Sequence, residues 1–200
     1  MNKLFHIPSI YIKMNELGLL DQKNYLWIDD MEWMPIEKIV NYEYEEGESK
    51  YIIPFAHTPR YDKWVWIFNE LNDKYAVGLC ESSELNGVYY AKNTEDAIMR
   101  NIIEYLSSAD FYKNIDNAFS YQKSEKEIEI LIESWCKKLK GILCDKYIEL
   151  IRSFGNLKLK ECTHINGKWD AFLSYEERDE LIDKYIKFEK INDEFPWFVL

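Results

Sequence analysis

Short hydrophobic runs and polar turns follow one another through the middle of the chain. Aromatic and β-branched runs cover residues 51–56, 63–68, 75–79 and 88–91, and polar or glycine-containing turns separate them. Such runs are typical of strands that lie on a half-buried sheet. Asn86-Gly87 directly before the last run favours a tight hairpin turn. The pattern therefore predicts an antiparallel meander of about four strands.

A helical period follows the last of these runs. Between residues 94 and 107, Ile98, Ile102 and Leu106 recur at a spacing that places them on one helix face. Acidic residues at the start of this segment complement the positive end of a helix dipole. We expect this helix to pack on the sheet.

The C-terminal part of the chain predicts further helices and a hairpin. Ser124 with Glu127, and Ser174 with Glu177, have the capping-box spacing that begins a helix. Between them, LKLKEC and KWDAFL flank an Asn-Gly pair, which predicts a two-stranded hairpin over 157–173. A two-stranded hairpin is marginally stable by itself, so this part is expected to need another surface to pack on.

These patterns together predict an α+β protein. Its core is an antiparallel meander sheet with covering helices in residues 1–112, and residues 113–200 form an α/β appendage packed on that core. The boundary is placed in the polar connection over 107–123. Residues 25–40 predict only short segments of secondary structure, because Pro35 interrupts any long helix. Residues 1–20 show no clear helical or strand pattern.

The composition indicates a folded and soluble chain. Hydrophobic residues make up 47% of it and charged residues 30%, while the 16% of aromatic residues serve either the core or an interface. The chain contains no signal-peptide core and no run of about eighteen apolar residues, so we expect a cytoplasmic protein without a membrane partner. Four cysteines without paired spacing fit a reducing compartment, where we expect them to be small buried hydrophobes. They are Cys80, Cys136, Cys144 and Cys162.

Negative charge is concentrated near the N-terminus. The formal net charge is −11, and residues 29–48 contain eight acidic residues and one lysine. Such a surface repels phosphate backbones and attracts a basic protein. The alternative is a solvated loop whose acids only aid solubility. The candidate partner-binding acids are Asp29, Asp30, Glu43, Glu45, Glu46 and Glu48.

Known catalytic and cofactor patterns are missing from the sequence. Its three histidines have no metal-ligand spacing, its seven glycines do not cluster into a phosphate-binding loop, and it has no nucleophile elbow. Cys162 and His164 share one face of a predicted strand, but nothing orients the imidazole as a base. We therefore expect no metal, no cofactor and no enzymatic activity.

One polar loop between two predicted strands is a candidate site. His57, Arg60 and Asp62 lie on this short connection, and Tyr61 between them is a candidate interface anchor. The three polar groups could hold the loop together through an Arg60–Asp62 or His57–Asp62 contact, bind a partner, or form a small active site. A concave pocket around all three would favour the last alternative.

The order of these segments resembles the SUKH superfamily of bacterial toxin-immunity proteins and yeast cell-wall regulators. The similar stretches are IPFAHTPRYDKWVWIFNE at 53–70, YAVGLCE at 75–81 and GVYYAKNTEDAI at 87–98. The family shows a Pro-hydrophobic-Ala strand, a polar loop with an Asp, an aromatic-rich strand, a further strand and a covering helix. The resemblance covers roughly residues 25–106, about two fifths of the chain.

What the resemblance implies is a mixed α+β fold and, in bacteria, tight binding of a cognate toxin. Together with the acidic segment it predicts an immunity-type protein that neutralises a protein toxin, whose surface is expected to be basic. A second hypothesis is a regulatory scaffold for housekeeping partners, as the eukaryotic relatives suggest. A third is an enzyme or small-molecule sensor that uses the 57–62 loop. None of these predicts direct nucleic-acid binding.

Overall fold

A computed structural model of the protein describes residues 6–69, 74–108, 124–164 and 167–198. The expected domain boundary between 112 and 113 lies outside these described residues. Within them, no helix is both long enough and apolar enough to cross a membrane.

Eight strands and six helices are assigned in the described ranges. The helices are α1 (Ser9–Glu16), α2 (Ile36–Val40), α3 (Thr94–Leu106), α4 (Glu125–Leu139), α5 (Asp145–Phe154) and α6 (Tyr175–Tyr185). The strands are β1 (Glu32–Trp33), β2 (Ile52–His57), β3 (Lys63–Asn69), β4 (Lys74–Cys80), β5 (Asn86–Ala91), β6 (Lys160–His164), β7 (Gly167–Ala171) and β8 (Glu194–Pro196).

Residue contacts divide the chain into two compact units. The first comprises Met1–Ile98 together with Ile186–Leu200, and the second comprises Met99–Tyr185. The chain therefore leaves the first unit within α3 and returns to it after α6. The end of the chain thus belongs to the same unit as its beginning.

The first unit is built on an antiparallel sheet with the strand order β1-β2-β3-β4-β5-β8. The prediction of an α+β fold with an antiparallel meander is confirmed, and β2 to β5 lie at the four predicted runs. The predicted number of strands is wrong, because the sheet has six. β1 has two residues and β8 three, which is too short for an alternating pattern to be recognised.

Aromatic rings fill one face of this sheet. Trp66 of β3 is fully buried, and its ring stacks on Phe55 of β2 with centroids 4.6 Å apart. Tyr11 of α1 meets the Trp66 ring edge-on at 5.0 Å. The Trp66 indole N–H donates to the hydroxyl of Thr94, 3.0 Å away at the start of α3. Trp64 lies two residues before Trp66 and shares its face, as the period of two predicts.

The C-terminal segment covers part of the opposite face. Phe195 and Trp197 pack with Ile52, Val65 and Cys80 in one buried cluster. The Phe195 ring lies directly over two glycines, Gly78 of β4 and Gly87 of β5. A Cβ atom at either glycine would lie 2.5 or 2.6 Å from the ring carbon Cζ of Phe195. These glycines are therefore required by a close approach and not by a turn.

The second unit contains the predicted capping boxes and hairpin. Ser124 and Glu127 exchange hydrogen bonds at the start of α4, and Ser174 and Glu177 do so before α6. β6 pairs antiparallel with β7, which confirms the hairpin, although β6 begins three residues later than predicted. The turn residues 165–166 lie outside the described ranges. The carbonyl of Leu106 at the end of α3 accepts the backbone N–H of Phe172 and that of Leu173, so the hairpin segment caps this helix.

The four cysteines do not share one environment. Cys80 and Cys162 are buried as expected, Cys136 is partly exposed, and Cys144 at the N-cap of α5 is exposed. The expectation of four buried cysteines is therefore wrong for Cys136 and Cys144. Burial raises the pKa of the Cys80 thiol well above its usual range, so this thiol stays protonated and unreactive.

Candidate functional site

The loop that joins β2 to β3, which we call the 57–62 loop, is held by the hydroxyl of Thr58. This side chain is 5% exposed, and its oxygen accepts the backbone N–H groups of Arg60 and Asp62 at 3.1 and 3.2 Å. The same hydroxyl donates to the Asp62 carboxylate at 3.2 Å. The other oxygen of Asp62 accepts the backbone N–H of Ser82 at 3.0 Å, which ties the loop to the end of β4. Asp62 therefore stabilises the loop.

The 57–62 loop displays Tyr61 to solvent. Tyr61 is 76% exposed and has a backbone φ of 69°, in the left-handed region that non-glycine residues seldom adopt. Its backbone N–H donates to the carbonyl of Thr58 at 3.0 Å. The backbone at Tyr61 is thus held in a conformation that costs about 1 kcal/mol. The surrounding hydrogen bonds of the loop keep the backbone in this conformation.

His57 and Arg60 have different neighbours in this loop. The ring atom Nδ1 of His57 lies 3.2 Å from the carbonyl oxygen of Thr58 and 3.6 Å from a carboxylate oxygen of Glu32. Both neighbouring oxygens can only accept, so Nδ1 carries the proton in these contacts. The side chain of Arg60 is at the surface, and its backbone carbonyl accepts the hydroxyl of Ser82 at 3.1 Å.

A second loop, residues 25–33, is closed by the hydroxyl of Tyr25. This hydroxyl donates to the carbonyl of Met31 at 3.1 Å and accepts the backbone N–H of Trp33 at 2.8 Å. Burial raises the pKa of Tyr25, and the backbone contact with Trp33 offsets only part of that rise. The phenol therefore remains a donor well above neutral pH. Asp29 at the tip of the loop has a φ of 49°, which Asp tolerates better than most residues.

A cleft of about 640 Å³ opens beside the 25–33 loop, and Pro59 of the 57–62 loop forms part of its wall. The partly exposed rings of Tyr25 and Trp27 line it. Three carboxylates of the same loop also line it, and of these residues Asp29 is half-buried while Asp30 and Glu32 are exposed. The cleft is therefore both aromatic and acidic.

The acidic residues after α2 occupy a different position. Glu43, Glu45 and Glu46 are exposed and do not line the cleft. The carboxylate of Glu48 is 4% exposed and lies 2.7 Å from Nζ of Lys63. It also accepts a hydrogen bond from the hydroxyl of Tyr42 at 3.1 Å. Glu48 is thus part of the interior, and we remove it from the expected binding surface.

Lys63 is enclosed by polar and aromatic groups. Its Nζ lies 2.8 Å from the hydroxyl of Tyr42 and 5.2 Å from the ring centre of Trp197. Burial acts to lower the pKa of Lys63, but the hydrogen bonds with Glu48 and Tyr42 outweigh it and hold the pKa above its ordinary value. The Glu48–Lys63 pair therefore connects the loop after α2, strand β3 and the segment around Trp197.

The structure brings together only some of the residues that the sequence singled out. Asp29 and Asp30 lie at the same cleft as the 57–62 loop, through Pro59. Sequence reasoning missed Tyr25, Trp27 and Thr58, and it counted Glu32 only as one of the eight acids of residues 29–48. Thr58 carried a further usable signal, because a threonine at the start of a short loop commonly accepts backbone N–H groups from the next residues.

Comparison of the chain with protein-family models, with curated proteins and with solved structures finds no significant match in any of the three. The SUKH resemblance therefore depends on the sequence stretches quoted above. Within the part of the chain that the structure describes, no three His, Cys, Asp or Glu side chains are grouped as metal ligands. The site is accordingly defined by its geometry alone.

Proposed function

We propose that this protein binds a basic protein partner through the surface formed by the 25–33 loop and the 57–62 loop. The observation that carries the proposal is Tyr61, a large ring that is 76% exposed on a loop with a strained and hydrogen-bonded backbone. Strained backbone persists where the surrounding structure fixes it, and such positions cluster at binding and switch sites. Tyrosine is one of the residues enriched among the side chains that contribute most to interfaces.

Preorganisation strengthens such an anchor. A partner that buries Tyr61 does not have to order the loop, because Thr58 and Asp62 already hold its backbone in place. The entropic cost of ordering a loop is one of the main penalties of association. The 57–62 loop is therefore better suited to a rigid docking contact than to a conformational switch.

Charge favours a basic partner. The cleft next to the 57–62 loop is lined by Asp29, Asp30 and Glu32. The whole chain has a formal net charge of −11. Complementary charge accelerates encounter and discourages acidic partners. These two features support a protein ligand that presents lysines and arginines.

The geometry supports binding more than catalysis. The cleft is lined by Pro59 of the loop and not by His57, Arg60 or Asp62, so the three polar groups do not face this cleft together. The Asp62 carboxylate is used by Thr58 and Ser82 within the loop. A base and its partners must reach the same reacting atom, and this arrangement does not direct these groups to a common point.

The SUKH resemblance suggests which class of partner this is. A cognate toxin with a basic surface, neutralised by occupation of that surface, fits both the resemblance and the charge. A regulatory partner in the same cell would use the same surface. Identifying the protein that binds distinguishes a toxin from a regulatory partner. Both versions place the chain in the cytoplasm as a binding protein without a cofactor.

Capture of the partner and kinetic comparison of variants test the proposal. The full-length protein is immobilised, the basic protein that it retains is identified and purified, and association and dissociation are measured by a surface-based method. Tyr61→Asn removes the ring, yet Asn tolerates the left-handed conformation. We expect faster dissociation and a loss of about 2 kcal/mol of binding free energy.

Tyr51→Asn is the matched control. Tyr51 is also exposed, at 48%, but it lies just before β2 and outside the two loops. Its replacement should leave both rate constants unchanged. Equal effects of the two variants, or unchanged dissociation for Tyr61→Asn, would contradict the proposed surface.

A further inference from the structure

The cleft beside the 25–33 loop has apolar walls with flat surfaces. Tyr25 and Trp27 are partly exposed aromatic residues that line it, and Pro59 of the 57–62 loop lines the same cleft. The hydroxyl of Tyr25 is fixed between Met31 and Trp33, so this ring is not free to rotate away. The part of the wall that Tyr25 forms is therefore preformed. An aromatic face attracts a cation placed over it as well as an apolar group.

The rim of the same cleft is acidic. Asp29, Asp30 and Glu32 lie within four consecutive residues of the 25–33 loop, and all three line the cleft. Carboxylates accept hydrogen bonds and cannot donate them at neutral pH. A ligand that packs on the aromatic walls and also pairs with the acidic rim needs a flat apolar face, a positive charge and several hydrogen-bond donors.

We propose, on the basis of the protein-binding function above, that this cleft receives an arginine side chain of the partner. A guanidinium is planar, stacks on aromatic faces and presents five N–H donors in a fixed arrangement that matches carboxylates. Tyr25 and Trp27 form the stacking wall, and Asp30 and Glu32 accept the outward-facing donors. Arginine is one of the residues that contribute most to protein interfaces.

Lysine fits the cleft less well. Its ammonium is compact and strongly hydrated, and it has no planar face to place against the rings. The volume of about 640 Å³ exceeds what one side chain occupies, which leaves room for the backbone beside the arginine. The proposed occupant is thus an arginine together with its flanking residues.

Three capped tripeptides test this inference without the partner protein. Acetyl-Gly-Arg-Gly-amide, its lysine analogue and its neutral citrulline analogue are titrated into the full-length protein with ¹⁵N-labelled tryptophan, and the indole signals are followed by NMR. Trp27→Phe assigns the Trp27 signal. We expect the arginine peptide to shift this signal and to bind about tenfold more tightly than the citrulline peptide, with the lysine peptide between them.

Two double variants with the same change in charge make the test specific. Asp30→Asn with Glu32→Gln removes two carboxylates from the cleft, and should weaken binding of the arginine peptide about tenfold. Glu43→Gln with Glu46→Gln removes two exposed carboxylates elsewhere, and should leave it nearly unchanged. Both pairs lie at exposed positions, so we expect both proteins to remain folded.

Three results would overturn the inference. They are equal affinity for the arginine and citrulline peptides, equal effects of the two double variants, and no shift of the Trp27 signal up to about 10 mM arginine peptide. The broader binding proposal is tested separately by Tyr61→Asn against the captured partner. The broader proposal can therefore stand when the arginine inference fails, and the two failures are distinguishable.

Discussion

Glu48 shows how one residue in an acidic run can differ from its neighbours. Its carboxylate is 4% exposed and pairs with Lys63 at 2.7 Å, whereas Glu45 and Glu46 are exposed. The backbone N–H of Glu45 also donates to the Glu48 carboxylate at 2.9 Å, so the loop folds around this side chain. The buried pair is satisfied on both sides, because Tyr42 contacts both Lys63 and Glu48.

We expect Glu48→Gln to destabilise the protein by about 3 kcal/mol, because removing one partner of a buried pair leaves an uncompensated charge on the other. Glu46→Gln is the matched control and should change the free energy of unfolding by less than about 0.5 kcal/mol. Urea denaturation followed by tryptophan fluorescence measures both. Similar midpoints for the two variants would show that the Glu48–Lys63 contact contributes little.

The sign of the pKa shift at Lys63 also sets the pH range of this contribution. A folded-state pKa above the ordinary 10.5 means that the pair stabilises the fold fully below about pH 10.5. The contribution is lost as the pH rises through the folded-state value. The comparison of Glu48→Gln with Glu46→Gln therefore belongs near neutral pH.

The sequence identifies the acidic residues of the segment 29–48, but it does not show which of their side chains is buried. Glu43, Glu45, Glu46 and Glu48 are equivalent in composition, and burial of the last depends on Lys63, fifteen residues further along. The same reason explains the 57–62 loop. His57, Arg60 and Asp62 attract attention as titratable groups, yet the group that organises the loop is the hydroxyl of Thr58.

At the scale of elements, local pattern and long-range pairing contribute differently. β2 to β5 could be predicted because each is a run of six or seven residues rich in aromatic and other apolar side chains, and turn signals lie between the runs. β8 could not, since three residues carry no period and its partner β5 lies about 100 residues earlier. A tertiary contact, the Phe195 ring over Gly78, makes the C-terminal segment part of the sheet.

This contact predicts coupling between Gly78 and Phe195. Gly78→Ala should destabilise the protein by about 2 kcal/mol, because the new Cβ would lie 2.5 Å from the Phe195 ring and force it to move. In a protein that already carries Phe195→Leu, the two clashing ring carbons are absent, and the same glycine change should cost less than half as much. A double-mutant cycle from thermal or urea denaturation measures the difference.

Gly155→Ala is a control for the glycine change itself. Its φ is −60°, and a Cβ there would meet a carbonyl oxygen at 3.3 Å, which needs only a small adjustment. We expect it to change stability by less than about 0.5 kcal/mol. Additive effects of Gly78→Ala and Phe195→Leu would contradict the close packing of β8 on the sheet.

At the scale of the whole molecule, the formal charge of −11 acts over distances longer than any contact. Exposed charges interact across roughly 8 to 10 Å at physiological ionic strength, and further in dilute salt. Glu43, Glu45 and Glu46 do not line the cleft. They can still raise the rate at which a basic partner approaches, because encounter depends on the summed field of the surface.

We therefore expect the triple variant Glu43→Gln, Glu45→Gln and Glu46→Gln to slow association with the captured basic partner about threefold at low salt. Its association rate should also vary less with salt, while dissociation stays nearly constant, since charges outside the docked surface act mainly on encounter. Stability should remain unchanged, because exposed acids contribute little to folding. Stopped-flow kinetics at two salt concentrations measures these rates, and Tyr61→Asn, which should change dissociation instead, is the reference. An association rate equal to that of the unmodified protein would show that this run of acids serves solubility and not steering.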